Sequence, residues 1–219
     1  MIIINFKLYP ETFGDNALKL AKIIKKVSDE TKHRIIIAAS PLDAFRIKEN
    51  TDAEVWLQNI DEYFEGRGTG WVSFKQAQIL GINGSLLNHS EHKIPRGKIL
   101  KILKNKPNNF EIALCVASLG QISQWAAKSK ADFLMYEPPS LIASPDKSVA
   151  TDQADIIKNA LLASPKIPLI VGAGIKNKED TKICSKLGVN NIALSSAFVL
   201  NSDPEAFLRQ LISGFNDII

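Results

Sequence analysis

The chain has 219 residues, 45% of them hydrophobic, and its 27 lysines and arginines exceed 23 aspartates and glutamates to leave a formal net charge of +4. Length and apolar content suffice for one substantial core, so a single domain over residues 1–219 is expected. No stretch of about 18 apolar residues predicts a membrane helix, and the lysines are dispersed over predicted helices without the aromatic platform or basic cluster of a nucleic-acid binder.

Met1 leads straight into the apolar run 2–6 without the basic flank and cleavage site of a signal peptide, so export is not expected. That run closes on Asn5-Phe6-Lys7. Residues 17–27 follow with Leu18, Leu20, Ala21, Ile24 and Val27 on one side and lysines on the other, which predicts an amphipathic helix. Short β-rich runs then recur at 34–39, 54–58, 84–88, 111–116, 132–136, 168–172 and 191–195. Asn177-Lys178-Glu179-Asp180 reads as an N-cap with an acidic first turn, and Gly188 ends that helix. Asp203-Pro204-Glu205 opens the last helix with a cap and a first-position proline.

Eight such runs in 219 residues suit compact βα units. Most are apolar on both faces, as parallel strands covered by helices must be. The repeat predicts a closed (β/α)8 barrel with a parallel eight-stranded sheet, and a doubly wound open sheet is the alternative. An open sheet of that kind calls for a glycine-rich fingerprint after the first strand. Here that position holds Asn5-Phe6-Lys7-Leu8-Tyr9, which favours the barrel.

In a barrel, reactive side chains come from the C-terminal ends of the strands. Those ends read Asn5 and Lys7, Gln58 and Asn59, His89 and Glu91, Cys115, Glu137, Gly172 to Gly174, and Ser195-Ser196. Each has a bland alternative. A lysine is usually a solvated charge, a lone histidine is more often structural, and a glutamate can cap a loop. The enrichment of polar groups along this one edge is the signal. Asn88, Ser90 and Glu91 can fix the tautomer of His89, and Pro138-Pro139 holds Glu137 in an extended backbone. A carboxylate, an imidazole and an ammonium at one mouth can move a proton beside a carbonyl. Gly172-Ala173-Gly174 and the turn after Ser195-Ser196 suit an anion such as phosphate, and a mild positive field favours a small anionic substrate. Cys115 and Cys184 lack metal-ligand spacing and cannot form a disulfide framework, so neither a metal nor a cofactor is expected and the cytoplasm is the expected compartment. His33 and His92 flank helices and read as surface or interface residues.

These motifs resemble triosephosphate isomerase in its short archaeal form. The resemblance runs almost end to end, through Asn5-Phe6-Lys7, Gln58-Asn59-Ile60-Asp61, Gly68-Thr69-Gly70, Leu87-Asn88-His89-Ser90-Glu91, Tyr136-Glu137-Pro138-Pro139, Gly172-Ala173-Gly174-Ile175 and Asp203-Pro204. It implies a single-domain TIM barrel that interconverts dihydroxyacetone phosphate and glyceraldehyde 3-phosphate through an enediol(ate), in glycolysis and gluconeogenesis. It also implies Glu137 as the base, His89 as the neutral electrophile and Lys7 as the cation that meets oxyanion and phosphate charge. Asn5 would help hold Lys7 and substrate, Glu91 would lie behind His89, and Ile142, Gly174, Ser195 and Ser196 would bind phosphate through their backbone. The segment after Glu137 corresponds to a lid. Residues 66–70 correspond to a loop that enters a neighbouring subunit, which implies a homodimer or homotetramer.

The chain departs from the family's pattern at the lid tip Ala143-Ser144-Pro145, at Ala197-Phe198 where glycine is usual, and at His92-Lys93 where an arginine is common. The first two touch the phosphate grip, since proline donates no hydrogen bond and alanine disfavours positive φ. The alternatives are a barrel of this type with altered or lost isomerase activity, a different phosphate-binding barrel enzyme, and a barrel kept for binding or assembly.

Overall fold

The computed structural model describes residues 1–139, 141 and 154–216. Eight parallel strands close into a barrel in chain order: β1 (Ile2–Asn5), β2 (Ile35–Ala39), β3 (Glu54–Leu57), β4 (Gly84–Leu87), β5 (Glu111–Val116), β6 (Phe133–Tyr136), β7 (Leu169–Val171) and β8 (Ile192–Leu194). The described α-helices are α1 (Asp15–Thr31), α2 (Pro41–Asn50), α3 (Phe74–Ile79), α4 (Arg96–Asn105), α5 (Leu119–Lys128), α6 (Ala154–Ala163), α7 (Lys178–Lys186), the four-residue α8 (Ser196–Val199) and α9 (Pro204–Asn216). The closed sheet decides between the two expected architectures in favour of the (β/α)8 barrel.

Successive side chains of a strand point to opposite faces, and β1 shows why its run is apolar throughout. Ile2 and Ile4 pack outward with Ala17, Ala21 and Ile24 of α1, whereas Ile3 belongs to a separate cluster with Ile36, Ala38, Trp56, Leu86, Ala113, Cys115, Met135, Ile170 and Ala193. The second cluster fills the barrel interior, so the tube is a packed core. Polar caps set the helix starts: Ser40, Ser73 and Ser118 accept from Asp43, Gln76 and Gln121 backbone N–H groups. Asn177 and the fully buried Asp180 form a capping box at α7, and Asp203 Oδ1 accepts from Ala206 N–H at α9. Each of these caps is worth about 1 kcal/mol.

The strands align with Ile2 opposite Ile35 and Ile192, and Asn5 opposite Ala38. Most neighbouring strands share three or four such pairs. β3 meets β4 at Leu57–Ser85 alone, and β7 meets β8 at Val171–Ile192 alone. At the N-terminal end, Arg34 hydrogen-bonds both Glu54 and Glu111 and lies 5.9 Å from the Trp56 ring centroid. The bond to Glu54 is the largest of the effects that raise the Arg34 pKa above its ordinary value. Trp56 fits because β4 begins with glycine; a Cβ on Gly84 would fall 2.2 Å from its ring. No helix among the described residues is long and apolar enough to cross a membrane.

Candidate active site

A parallel barrel delivers all its C-terminal strand ends to one rim. Lys7 lies two residues beyond β1, His89 two beyond β4 and Glu137 directly after β6. Two of these junctions use the left-handed region that L-residues avoid: Lys7 has φ 48° and Asn88, just before His89, has φ 61°. Each costs on the order of 1 kcal/mol and persists only where surrounding bonds fix it. Asn5 Oδ1 accepts from the Lys7 N–H at 3.0 Å. Asn88 donates from Nδ2 to the Cys115 carbonyl at 3.1 Å and accepts at Oδ1 from Ile94 N–H at 3.2 Å. Lys93 Nζ, from the pair that departs from the family pattern, donates to the Asn88 carbonyl at 3.1 Å.

The imidazole and the carboxylate meet. His89 Nε2 lies 3.1 Å from Glu137 Oε1, and the two residues are only 8% and 7% exposed. The Glu91 backbone N–H donates to His89 Nδ1 at 3.2 Å. A nitrogen that accepts from an amide carries no proton, so the neutral ring bears its hydrogen on Nε2 and donates toward Glu137. Glu91 Oε1 holds Lys7 Nζ at 2.7 Å, while its other oxygen stands 3.7 Å from His89 Nδ1. Lys7, Glu91, His89 and Glu137 thus form a continuous chain.

Glu137 is set by its surroundings. Its N–H donates to the Val116 carbonyl at 2.9 Å. A Cβ on Gly172 would fall 2.8 Å from Glu137 Cγ and from Met135 Cγ, so that glycine makes room for the carboxylate. The sequence suggested close approach to a ligand there; the structure shows close approach to the Glu137 side chain. Behind it, burial first and the Glu137 charge second raise the Cys115 pKa, which keeps the thiol protonated.

Lys7, His89 and Glu137 open onto a cavity of about 450 Å³ whose far wall includes Gly174, Ser195 and Ser196. The chain matches the triosephosphate isomerase family model over residues 1–213. It is 35% identical to the triosephosphate isomerase of Methanothermus fervidus over 217 residues, covering 97% of each chain. It is also 35% identical to that of Thermoplasma volcanium, over 96% of this chain and 98% of the relative, and 33% identical to that of Metallosphaera sedula, over 98% and 95%. The chain belongs to the triosephosphate isomerase family. It is an isomerase of a family that acts on triose phosphate.

Most of the residues that the family resemblance singled out share this one cavity. Asn5, Lys7, His89, Glu137, Gly174, Ser195 and Ser196 line it, with Glu91 directly behind Lys7 and His89. Ile142 and the tip Ala143-Ser144-Pro145 lie outside the described residues. Gly174 has φ 78°, a conformation that favours glycine. Ser195 caps α8, whose Phe198 and Val199 N–H groups return to the Ser195 carbonyl. The Ser196 and Ala197 amides, as the first two of the helix, have no intrahelical acceptor. Ala197 is helical here and adopts no positive φ, so its methyl meets no left-handed strain. Ser195 Oγ is buried with no hydrogen-bond partner among the described residues. Sequence reasoning did not single out Tyr9 or Lys176, which also line the cavity. Their only signal was a position just past a strand end.

Proposed function

We propose that this site interconverts dihydroxyacetone phosphate and D-glyceraldehyde 3-phosphate through an enediol(ate), with Glu137 as base, His89 as electrophile and Lys7 as the fixed cation. The meeting of His89 Nε2 and Glu137 Oε1 at 3.1 Å, with Nδ1 already committed to an amide, carries the reading. Glu137 takes the C1 proton of the ketose while His89 gives its Nε2 proton to the C2 oxygen. The deprotonated ring then takes the proton of the C1 hydroxyl as the protonated Glu137 returns its own to C2, which leaves the C1 aldehyde and restores both side chains. Lys7 offsets the charge of the oxyanion and the phosphate. The backbone amides of Gly174, Ser195 and Ser196 face the phosphate, and Ile142 is assigned the same role from the family resemblance. Proton transfer of this kind asks for neither metal nor cofactor, because Lys7 and His89 supply the positive charge and the donor.

The reading extends to one domain working as a homodimer or homotetramer in the cytoplasm, in glycolysis and gluconeogenesis. Self-association is supported by apolar side chains exposed on rim loops and α2: Leu8, Phe13, Leu42, Phe45, Phe64 and Trp71. The loop after β1 and α2 are tied together, since Asp43 Oδ1 accepts from Gly14 N–H and Arg46 pairs with Asp15. Two free, buried cysteines suit a reducing compartment.

A coupled assay in D2O tests the chemistry. The expected result is rapid conversion of dihydroxyacetone phosphate with solvent deuterium in the product. Purified protein that leaves dihydroxyacetone phosphate unchanged defeats the function, and product without solvent deuterium defeats the exchanging base. Sedimentation decides the assembly: a dimer or tetramer is expected, and a monomer at micromolar concentration rejects it.

A further inference from the structure

We infer that Gln58 is the positioning residue that holds Lys7 in its working place. This rests on the isomerase reading above, in which Lys7 meets substrate charge. Gln58 follows β3 and is not among the residues that line the cavity, so it stands behind Lys7. Its Nε2 faces three oxygens: Asn5 Oδ1 at 3.2 Å, the Lys7 carbonyl at 3.1 Å and the Ala38 carbonyl at 3.3 Å. An amide end that meets only acceptors must be its NH2 group, and its two hydrogens are shared among the three.

Two of those acceptors belong to the support of Lys7. Asn5 Oδ1 is also the acceptor for the Lys7 N–H, and the Lys7 carbonyl is its other backbone polar group. Gln58 and Asn5 together therefore grip Lys7 on both sides of its Cα. The residue sits at φ 48°, where a lysine remains only if such bonds hold it. The third acceptor, Ala38, pairs with Asn5 across β1 and β2, so Gln58 anchors the Lys7 turn to the strands beneath it. The Gln58 backbone N–H donates to the Ala39 carbonyl at 3.2 Å, which fixes the start of its own side chain. Without Gln58 the turn is free to relax to negative φ, and the ammonium swings away from Glu91 and from the cavity.

A double-mutant cycle on the full-length protein separates positioning from general support. Gln58→Met keeps the bulk and removes the donors. Its kcat/KM is expected to fall by up to about 10²-fold, the scale for a group displaced by roughly an ångström, and its inhibition by inorganic phosphate should weaken. In a Lys7→Met background the same change should add less than about threefold, since the group it positions is gone. Full additivity, or a Gln58→Met enzyme with unchanged kcat/KM, overturns the inference. If Gln58→Met does not fold, Gln58→Glu keeps the shape while presenting an acceptor, and the same non-additivity is required of it. Wild-type protein without isomerase activity defeats the functional reading alone. Calorimetric titration with inorganic phosphate then decides the positioning claim: equal affinity in wild type and Gln58→Met overturns it, and weaker binding absent from the Lys7→Met background supports it.

Discussion

At the N-terminal end of the barrel, Arg34 reaches Glu54 and Glu111 and lies near Trp56. At the C-terminal end, Lys7, Glu91, His89 and Glu137 also touch in series and border a cavity of about 450 Å³. Both ends gather charge from several strands. The lower cluster also borders a cavity of about 450 Å³, lined in part by Glu54, Trp56 and Glu111, but Arg34 is engaged with both carboxylates there. The upper one leaves Nε2–H, a carboxylate and an ammonium turned toward a space that a ligand can enter. Charged groups lie against cavities of similar size at both ends, and what separates them is the buried imidazole–carboxylate contact of His89 and Glu137 at the upper one.

Changes at the upper end should therefore fall on turnover and changes at the lower end on stability. Glu137→Ala is expected to lower kcat by about 10² to 10⁴, the scale for a positioned acid–base group, with little change in melting temperature. Steady-state kinetics beside thermal unfolding measures both. Gly172→Ala should strike both properties, because its methyl would sit 2.8 Å from Glu137 Cγ and from Met135 Cγ. A loss of kcat of about tenfold or more is expected from the displaced base, with about 1–3 kcal/mol of destabilisation from overpacking. Wild-type kinetics in that variant would show that the carboxylate is not held by this contact.

Gly84→Ala probes the lower end alone. Its methyl would meet the Trp56 ring at 2.2 Å, so denaturant unfolding should report a loss of about 1–3 kcal/mol while kcat stays within about twofold of wild type. A large fall in kcat there would break the division between the two ends. The smallest effect is expected on the outer surface. Hydrogen bonds from Lys26 first, then Arg209, hold the Glu205 carboxyl below its ordinary value. A depressed carboxylate adds stability above its unfolded pKa, and that contribution disappears as pH falls through the folded value. Glu205→Gln should lower the melting temperature slightly at neutral pH and leave it unchanged once pH falls below the folded value, so the acid side of the melting-temperature profile flattens.

All eight strands were legible in sequence to within a residue at most ends, because burial on both faces forces uninterrupted apolar runs. The small misses lie at strand ends: the Gln58 and Asp132 N–H groups still donate to the Ala39 and Ile112 carbonyls of the neighbouring strands, although β3 ends at Leu57 and β6 begins at Phe133. Lys7, His89 and Glu137 were visible as polar residues just past apolar runs. Their coupling was not: Lys7 and Glu91 are 84 residues apart, and Arg34 and Glu111 are 77 apart. Such pairs leave no local period in the sequence. The space that Gly172 leaves for Glu137 was equally hidden, since a glycine after a strand reads the same whether it serves a turn, a ligand or a neighbouring side chain.

The two thin seams of the sheet, Leu57–Ser85 and Val171–Ile192, cut the tube into halves of four strands. One half carries Lys7 and Ser195, and the other carries His89, Glu137 and Gly174. Any molecule gripped by all five acts as a clasp between the halves. Occupancy should therefore slow amide hydrogen exchange along both seams more than in the well-paired β4–β5–β6 wall, so that the ligand completes mechanically what the strand pairing leaves slight.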